Sequence, residues 1–407
     1  MSDLFDNKVS ISQKNQARYR IAIVISHFIQ YHAPLFRMLA SNPQIDLTVF
    51  VCSRHGADSC YDLGFGRVFS WDRPVTVGYR WELLTNWRKG PPSAFWSCIN
   101  PSIINRLRRG GFDAVWVHGW ADVTTWLGIL TALIFDIPLL VRGEARLALR
   151  ESRLKSLAKR LILAPILRRA SGVLTIGKLS CDYYRHYGIQ GHRQFLTPYA
   201  VDNDYFISKA QQLGNDRMRL KAGLGLDAGR PLILFSGKLI PRKRPFDLLH
   251  AQQCLENQAS LVLLGDGILR PALEIYAHEH RIQNVYFAGF KNQTELCQYF
   301  AAADIFVLPS EFETWGLVVN EAMCFGLPVI ISDGVGAGPD LVEHGANGFV
   351  YPAGNIDRLV AYLRQMFLDE NMRVAMGCAS FEKIKAWSYV QDVAGVLACL
   401  QSLPSAV

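Results

Sequence analysis

The sequence predicts two α/β domains, each a parallel sheet with helices on both faces, with a cleft between them. At 407 residues the chain is too long for one ordinary core and suits two domains of about 200 residues each. Short apolar runs alternate with helical patterns almost from end to end, which is typical of parallel sheets wound with helices. Half of the residues are hydrophobic, so each domain can bury a core of its own.

The first series of strands and helices is predicted to form a domain over residues 1–200. Its predicted strands are residues 20–26, 46–51, 114–118, 138–141 and 172–176, with helices at 34–40 and 123–134. An irregular insertion at 64–101 is rich in Trp, Gly and Pro. The Pro, Asn and Asp residues clustered at 197–206 predict an interdomain linker.

The second series is predicted to form a domain over residues 201–387. It begins with a charged helix at 209–222, and its predicted strands are residues 232–236, 260–264, 284–287, 305–308 and 328–331. Ligand sites of open parallel sheets lie at the carboxyl ends of the strands. The loops that follow these strands are therefore the places to look for functional residues.

The cysteines and the N-terminal segment predict a cytoplasmic protein. The nine cysteines are scattered and form no Cys-x-x-Cys pair, which favours reduced thiols. Residues 1–20 are polar and lack the apolar core of a secretory signal. The most apolar stretch, 126–141, is interrupted by Asp136 and Pro138, so we expect a buried helix and strand there rather than a membrane span.

The net charge of +8 and the pI near 9.0 favour an anionic partner: a nucleotide sugar, a phospholipid surface or a nucleic acid. Residues 146–169 hold eight basic residues and one acid among apolar residues at helical spacing, which suits an anionic membrane surface. A helix packed on the sheet with an exposed basic face explains this segment equally well. The segment has no interleaved aromatic residues, which disfavours nucleic acid.

Two glutamates in residues 309–328 are the strongest candidates for a ligand site. Glu313 and Glu321 lie eight positions apart, in a loop after a predicted strand and within the helix that follows it. The start of that helix, near Gly316 and Leu317, offers free backbone N–H groups for an anion. A sugar nucleotide needs both a diol acceptor and a phosphate site, and this motif offers both. In the alternative reading Glu313 caps the helix and Glu321 lies on a solvated face.

A basic loop follows the first strand of the second domain. Gly237 is followed by Lys238, Arg242, Lys243 and Arg244, and these cations would repel one another unless an anion joined them. A diphosphate fits this requirement, and the loop would then stabilise the charge of a diphosphate leaving group. A solvated basic loop is the alternative. Gly265, after the next predicted strand, leaves room for a ligand to approach the backbone.

Three places in the first domain are candidates for contact with substrate. His118 ends a predicted strand and faces the expected cleft, although a lone histidine there has even odds of being structural. The loop at 26–34 and the strand end at 142–144 are the others, and an ordinary surface loop explains each equally well. Their candidate residues for the acceptor are His27, Tyr31, His32 and Arg142.

The chain resembles the retaining glycosyltransferases called family 4, which have the GT-B fold of two Rossmann-like domains. The resemblance is best over residues 231–350. It includes the Gly237-Lys238 loop with Lys243, the Gly265-Asp-Gly turn, the two glutamates with seven residues between them, and the Gly-Ala-Asn-Gly-Phe run at 345–349.

The resemblance implies roles for these residues. Glu321 would bind the ribose hydroxyls and Glu313 would contact the transferred sugar. Lys238 and Lys243 would hold the diphosphate, with help from the backbone near Gly316 and Leu317.

The resemblance also reaches the first domain and the end of the chain. His118 would lie near the donor sugar, and a helix at 388–407 would cross back to complete the first domain. Three features depart from the family, and one of them is the linker, which reads Pro-Tyr-Ala-Val-Asp at 198–202 where the family has Pro-Asn-Gly-Val-Asp. The family commonly has Arg where this chain has Lys238, which loses the planar fork of the guanidinium. The loop at 26–32 lacks the usual glycines, which weakens any inference about the acceptor.

The predicted function is that of a retaining, metal-independent hexosyltransferase that uses a nucleoside diphosphate sugar and needs no cofactor. Its acceptor would be a glycan or a lipid-linked saccharide in cell-surface polysaccharide biosynthesis, with the protein peripheral on the inner face of the membrane. A nucleotide-sugar epimerase or hydrolase with the same fold is one alternative, and a non-catalytic scaffold is the other.

Overall fold

The computed structural model describes residues 18–62, 64, 66–88, 95–147, 153–214, 216–256 and 258–404. The strands of the N-terminal domain are β1 (Tyr19–Ile25), β2 (Ile45–Val51), β3 (Cys60–Asp62), β4 (Arg67–Phe69), β5 (Trp81–Leu83), β6 (Ala114–His118), β7 (Leu139–Arg142), β8 (Gly172–Thr175) and β9 (Gln194–Leu196). Its helices are α1 (His32–Ser41), α2 (Ser102–Arg109), α3 (Val123–Ile134), α4 (Arg153–Arg169) and α5 (Lys178–His186).

The C-terminal domain continues the same alternation. Its strands are β10 (Leu232–Ser236), β11 (Ser260–Leu264), β12 (Val285–Gly289), β13 (Ile305–Leu308), β14 (Val329–Ser332) and β15 (Gly348–Tyr351). The helices are α6 (Asn203–Leu213), α7 (Arg217–Gly223), α8 (Pro245–Cys254), α9 (Arg270–Glu279), α10 (Gln293–Ala302), α11 (Leu317–Cys324), α12 (Gly338–Leu341), α13 (Ile356–Leu368) and α14 (Glu370–Lys385), and a last helix, α15 (Tyr389–Gln401), follows this domain in the chain.

Each domain is built on one parallel sheet, as the sequence predicts. The N-terminal sheet has the order β5-β2-β1-β6-β7-β8-β9 and the C-terminal sheet the order β12-β11-β10-β13-β14-β15. Apolar residues of β1 pack alternately against α1 and α15 on one face and against α2, α3 and α4 on the other. None of the described helices is both long and apolar enough to cross a membrane.

The last helix packs on the N-terminal domain rather than on the domain that precedes it. Val396, Cys399 and Leu400 of α15 are buried in the same core as α1 and β1. Its start is fixed by a capping box between Ser388 and Gln391.

The structure corrects the sequence prediction at three places. The charged helix predicted at 209–222 is two helices, because the chain turns at Gly214, whose φ of +73° suits glycine. The short strands β5, β9 and β15 border the sheets where no strand was predicted. The insertion at 64–101 contains a hairpin strand, β4, paired antiparallel with β3.

Candidate active site

A cavity of about 340 Å³ lies between the two domains, at the carboxyl ends of both sheets. The loops after β1 and β7 form its N-terminal wall, and the loops after β10 to β13 form the opposite wall. Residues from the sequence prediction that line it are Tyr31, Gly237, Lys238, Lys243, Gly265, Glu313, Gly316, Leu317 and Glu321.

Two glycines let the loops after β10 and β11 touch each other at the floor of the cavity. Gly265 has a φ of +143°, and a Cβ atom there would lie 1.9 Å from the carbonyl oxygen of Gly237. A side chain at this position would therefore separate the two loops. The close contact leaves backbone groups exposed to a ligand at the end of the sheet.

The basic loop brings its cations to the cavity around one carboxylate. Lys243 closes a short 3₁₀ turn, is 7% exposed, and forms an ion pair with Glu313. Burial lowers the pKa of Lys243, and the Glu313 carboxylate opposes that shift. The guanidinium of Arg242 lies 3.8 Å from Glu313, and Lys238 also lines the cavity. One carboxylate thus faces three cations, so this side of the cavity favours a further anion.

Glu321 is buried in α11, which rules out the alternative of a solvated face. Its side chain accepts a hydrogen bond of 2.9 Å from the Tyr31 hydroxyl, across the domain interface. Burial raises the pKa of Glu321 to about 7. Helix α11 starts after Gly316, which has a φ of +101° and no capping side chain, so the first N–H groups of the helix remain for a ligand.

The structure places Arg142 away from the cleft, so the prediction that it faces the acceptor is wrong. Its guanidinium is buried and donates two hydrogen bonds to Asp392 of α15, at 3.2 and 2.8 Å, and a third to the carbonyl of Thr197. The last residue of β7 points to the face that α15 covers. Arg142 therefore joins the sheet to the returning helix.

Glu144, two residues further on, lines the cavity instead. Its carboxylate accepts a hydrogen bond of 2.5 Å from the hydroxyl of Tyr199 and one of 3.2 Å from Thr314. The second of these bonds crosses between the domains. The sequence singled out this strand end but not which of its residues would face the ligand.

The rings of His118 and His32 contact each other at a tilt of 38°, and neither residue is among those that line the cavity. Their ring centroids are 4.5 Å apart, and His118 also stacks on Trp116. Burial lowers the pKa of His32 to about 3 and that of His118 well below its usual value. Both imidazoles are therefore neutral at physiological pH.

His27 also lies outside the residues that line the cavity. Its Nδ1 atom is 2.8 Å from the hydroxyl oxygen of Ser26, and its ring contacts His55. Burial lowers the pKa of His27 to about 4. Of the four residues predicted for the acceptor, only Tyr31 reaches the cavity wall.

A segment of the insertion, residues 67–73, crosses to the other domain; we call it the latch. Asp72 accepts hydrogen bonds from the backbone N–H of Thr294, at 2.8 Å, and from its hydroxyl. Trp71 of the latch and Phe290 opposite both line the cavity. The tryptophans of the insertion were noted in the sequence, but nothing in the sequence pairs Asp72 with α10.

Within the described residues, no group of three or more His, Cys, Asp or Glu side chains is arranged to hold a metal ion.

Comparison with known sequences concerns mainly the C-terminal domain. Residues 216–383 match the family described as "Glycosyl transferases group 1". Sulfoquinovosyl transferase SQD2 of Arabidopsis thaliana is 31% identical over 193 residues, which is 46% of this chain and 36% of that protein. A D-inositol 3-phosphate glycosyltransferase of Xylanimonas cellulosilytica is 27% identical over 300 residues, 71% of each chain.

A further relative matches about half of each chain. The GDP-mannose-dependent alpha-(1-6)-phosphatidylinositol monomannoside mannosyltransferase of Mycobacterium tuberculosis is 29% identical over 211 residues, 49% of this chain and 53% of that protein. The match therefore spans 36% and 53% of the length of two of these relatives and 71% of the length of the third.

Comparison with solved structures covers almost the whole chain. Anabaena Alr3699/HepE in complex with UDP has a TM-score of 0.72 at 17% identity, over 94% of this chain and all of that one. A glycosyltransferase from Rickettsia africae has a TM-score of 0.73 at 12% identity, over 96% of this chain and 100% of that one. The two-domain architecture is thus the GT-B fold, and residues 216–383 match the model of the glycosyl transferases group 1 family.

Proposed function

We propose that this protein is a retaining glycosyltransferase that moves a sugar from a nucleoside diphosphate sugar to a glycan or lipid-linked saccharide. The observation that carries the proposal is the convergence in one interdomain cavity of a cationic loop, a free helix N-terminus and a buried carboxylate. These are the groups that a diphosphate and a ribose diol require. The relatives named as glycosyltransferases support the same reaction class.

Different residues would bind the diphosphate, the ribose and the sugar of the donor. Lys238, Lys243 and the first N–H groups of α11 would bind the diphosphate, and Glu321 would accept hydrogen bonds from the ribose. Glu313 would contact the transferred sugar while it holds Lys243. In this arrangement the ammonium of Lys243, paired with Glu313, would lie between the phosphate and the sugar.

The proposed chemistry needs positioning and charge more than it needs acid or base catalysis. The bond between the anomeric carbon and the diphosphate breaks, and the negative charge that develops on the leaving oxygen is stabilised by the lysines and the helix N-terminus. The acceptor hydroxyl attacks on the face that the diphosphate leaves, gives its proton to a phosphate oxygen, and so retains the configuration. The cationic loop supplies charge neutralisation that a metal would otherwise provide, so we propose that the reaction is metal-independent.

The donor site is tested by binding. We expect one nucleotide sugar from a panel of UDP, GDP and ADP sugars to raise the thermal midpoint of the wild type and to have no effect on Glu321→Ala. Glu279→Ala, at an exposed position on α9, is the matched control and should respond like the wild type. Lack of response to every donor would contradict the proposal. Release of free sugar without acceptor, at the rate of transfer, would instead indicate a hydrolase.

We also propose that the acceptor is reached at the cytoplasmic face of an anionic membrane through the surface formed by α3 and α4. Residues 148–152 of the predicted basic segment lie outside the described residues. The described part of α4 has exposed basic residues, Arg160, Arg168 and Arg169. It also exposes large apolar side chains that are unusual on a soluble surface; with their neighbours on α3 these are Leu130, Ile134, Leu157, Leu161 and Ile162.

The membrane proposal is tested with vesicles. We expect wild-type protein to sediment with vesicles that contain phosphatidylglycerol and far less with pure phosphatidylcholine. The double variant Leu161→Ser, Ile162→Ser should lose most of this binding, because the two apolar side chains that it removes are 68% and 59% exposed. Leu368→Ser, which replaces a leucine that is 90% exposed on the other domain, should bind like the wild type. Equal sedimentation of all three proteins would exclude this surface.

A further inference from the structure

Tyr31 is the N-terminal domain's direct contact with the buried carboxylate of the donor site. It immediately precedes α1, and its hydroxyl donates to Oε1 of Glu321 at 2.9 Å. The backbone carbonyl of Tyr31 accepts a hydrogen bond of 2.6 Å from the hydroxyl of Tyr389, on α15. The returning helix thus holds the backbone of Tyr31, while the side chain of Tyr31 reaches across the cleft.

The contact leaves most of the acceptor capacity of Glu321 unused. In the part of the chain that the structure describes, the Tyr31 hydroxyl is the one side-chain group hydrogen-bonded to this carboxylate. A carboxylate has about four acceptor positions, so Oε2 and a second position on Oε1 remain. Two hydroxyls of a cis diol need two positions, and Glu321 lines the cavity. The tyrosine therefore orients the carboxylate and leaves acceptor positions on it open for a ligand.

We propose that Tyr31 is a positioning residue for nucleotide binding: its hydroxyl holds Glu321 so that the remaining acceptor positions receive the 2′- and 3′-hydroxyls of ribose. This inference rests on the proposed function. It makes the ribose site a composite of both domains, since the diol acceptor lies on α11 and the group that orients it lies on the N-terminal domain. Nothing in the sequence pairs these two residues, which are 290 positions apart.

The hydrogen bond also controls the protonation of Glu321. Burial raises the pKa of this carboxyl to about 7, and the bond from Tyr31 opposes the shift. The ionised carboxylate offers more acceptor positions, and stronger ones, to the two ribose hydroxyls than the protonated group does, so ribonucleotide affinity should increase as pH rises through this pKa. Removal of the Tyr31 hydroxyl should raise the pKa of Glu321 further and move the pH dependence to higher pH.

The other titratable groups around Glu321 stay in one form across this range. Burial raises the pKa of the Cys297 thiol, on α10, to about 12 and that of Cys324, on α11 itself, well above its usual value. The pKa values of Tyr31 and of Tyr389 behind it are likewise raised by burial. The cations across the cavity act on the phosphates of any nucleotide, whether or not it carries a diol.

The experiment compares ribonucleotides with analogues that lack the diol. The binding of UDP, GDP and ADP and of their 2′,3′-dideoxy forms is measured by calorimetry between pH 6 and 8.5, with wild type, Tyr31→Phe, Glu321→Gln and the double variant. For the nucleotide that binds best, we expect Tyr31→Phe to weaken binding about fivefold to tenfold at pH 7, with a higher pH midpoint. The dideoxy form should lose less than about twofold. Combined with Glu321→Gln, the Tyr31 change should add no further loss.

The outcomes separate this inference from the proposed function. If the wild type binds none of the six nucleotides, the proposed function itself fails. If the wild type prefers the ribonucleotide but Tyr31→Phe loses affinity equally for both forms, or keeps the wild-type pH midpoint, Tyr31 has only a structural role and the inference is wrong. Tyr61→Phe, which removes a hydroxyl from a residue that is 54% exposed, controls for the substitution and should behave as wild type.

Discussion

At the scale of single residues, the donor cavity places ionisable groups where their charge is costly. Glu321 is 2% exposed, and this burial raises its pKa to about 7, so the folded protein binds this proton more tightly than the unfolded chain does. A residue held in this state weakens the fold at high pH. Glu321 therefore lowers the stability of the fold. Its position at the centre of the cavity is explained by ligand binding and not by packing.

This cost is measurable as a pH dependence of stability. The pKa of Glu321 is about 7 when folded against an ordinary value of 4.5, so the folded state binds the proton more tightly and stability falls as pH rises from about 4.5 to 7. Above pH 7 this contribution is constant. We therefore expect Glu321→Gln, which keeps an acceptor for Tyr31, to gain about 2 kcal/mol relative to wild type between pH 5 and pH 8.

Urea denaturation at the two pH values measures this difference. Other buried carboxyls are common to both proteins, so their titration cancels in the comparison. Glu279→Gln, at an exposed position on the same domain, should show no such change. A constant difference between Glu321→Gln and wild type at both pH values would mean that Glu321 is ionised throughout.

At the scale of elements, the central strands are predictable because they are short runs of apolar residues buried on both faces. Strand β6 and helix α3 have the bounds predicted from the sequence, as do β10, β11 and β13. Two of the short border strands carry no such run: β5 includes Glu82, and β9 has three residues and ends at Leu196, which is 48% exposed. Pairing with a neighbour, rather than composition, makes these segments strands.

Arg142 shows why the direction of a side chain at a strand end is hard to predict. An arginine after an apolar run is usually exposed, but its partner here, Asp392, lies 250 residues away on α15. Both side chains are almost completely buried, with exposures of 4% and 0%. The pair replaces an apolar contact between β7 and the returning helix, and its geometry depends on the tertiary fold alone.

Breaking this pair should destabilise the protein strongly. Arg142→Met leaves the carboxylate of Asp392 buried without its cation, which costs about 3–5 kcal/mol and should lower the midpoint of thermal unfolding by about 10 °C. The double variant Arg142→Met, Asp392→Leu removes both charges and should recover most of this loss.

A matched exposed pair provides the control. Arg185→Met removes the cation from an ion pair with Asp182 in which both side chains are more than half exposed, so the midpoint should change by less than about 2 °C. If the double variant is as unstable as Arg142→Met alone, the loss comes from packing of the arginine and not from the unpaired carboxylate.

At the scale of the whole molecule, the two domains meet through polar contacts that surround the cavity. Tyr31 contacts α11, Glu144 contacts Thr314, and Asp72 of the latch contacts α10. The sequence predicts that a cleft exists and which loops of the C-terminal domain face it. It does not predict these contacts, because each joins residues at least 170 positions apart whose proximity depends on the angle between the domains.

The latch joins the N-terminal domain to α10 through Asp72 and to the interdomain segment through an ion pair of 2.7 Å between Arg73 and Asp202, so it should control the opening of the cleft. Asp72 caps α10 from the opposite domain: it accepts from the N–H of Thr294, while Asn292 at the start of that helix makes no capping bond of its own. Loss of a capping side chain costs about 1 kcal/mol, and Asp72→Ala removes both hydrogen bonds that this side chain makes to Thr294 of the other domain. We therefore expect Asp72→Ala to populate a more open form, with a larger radius of gyration in small-angle X-ray scattering.

Asp58→Ala removes an equally charged side chain whose ion pair with Arg54 stays within the N-terminal domain, and it should scatter like the wild type. Because Trp71 and Phe290 line the cavity beside the latch, a bound nucleotide should close Asp72→Ala again; a radius that stays at the wild-type value without nucleotide would show that the other interdomain contacts hold the cleft closed by themselves.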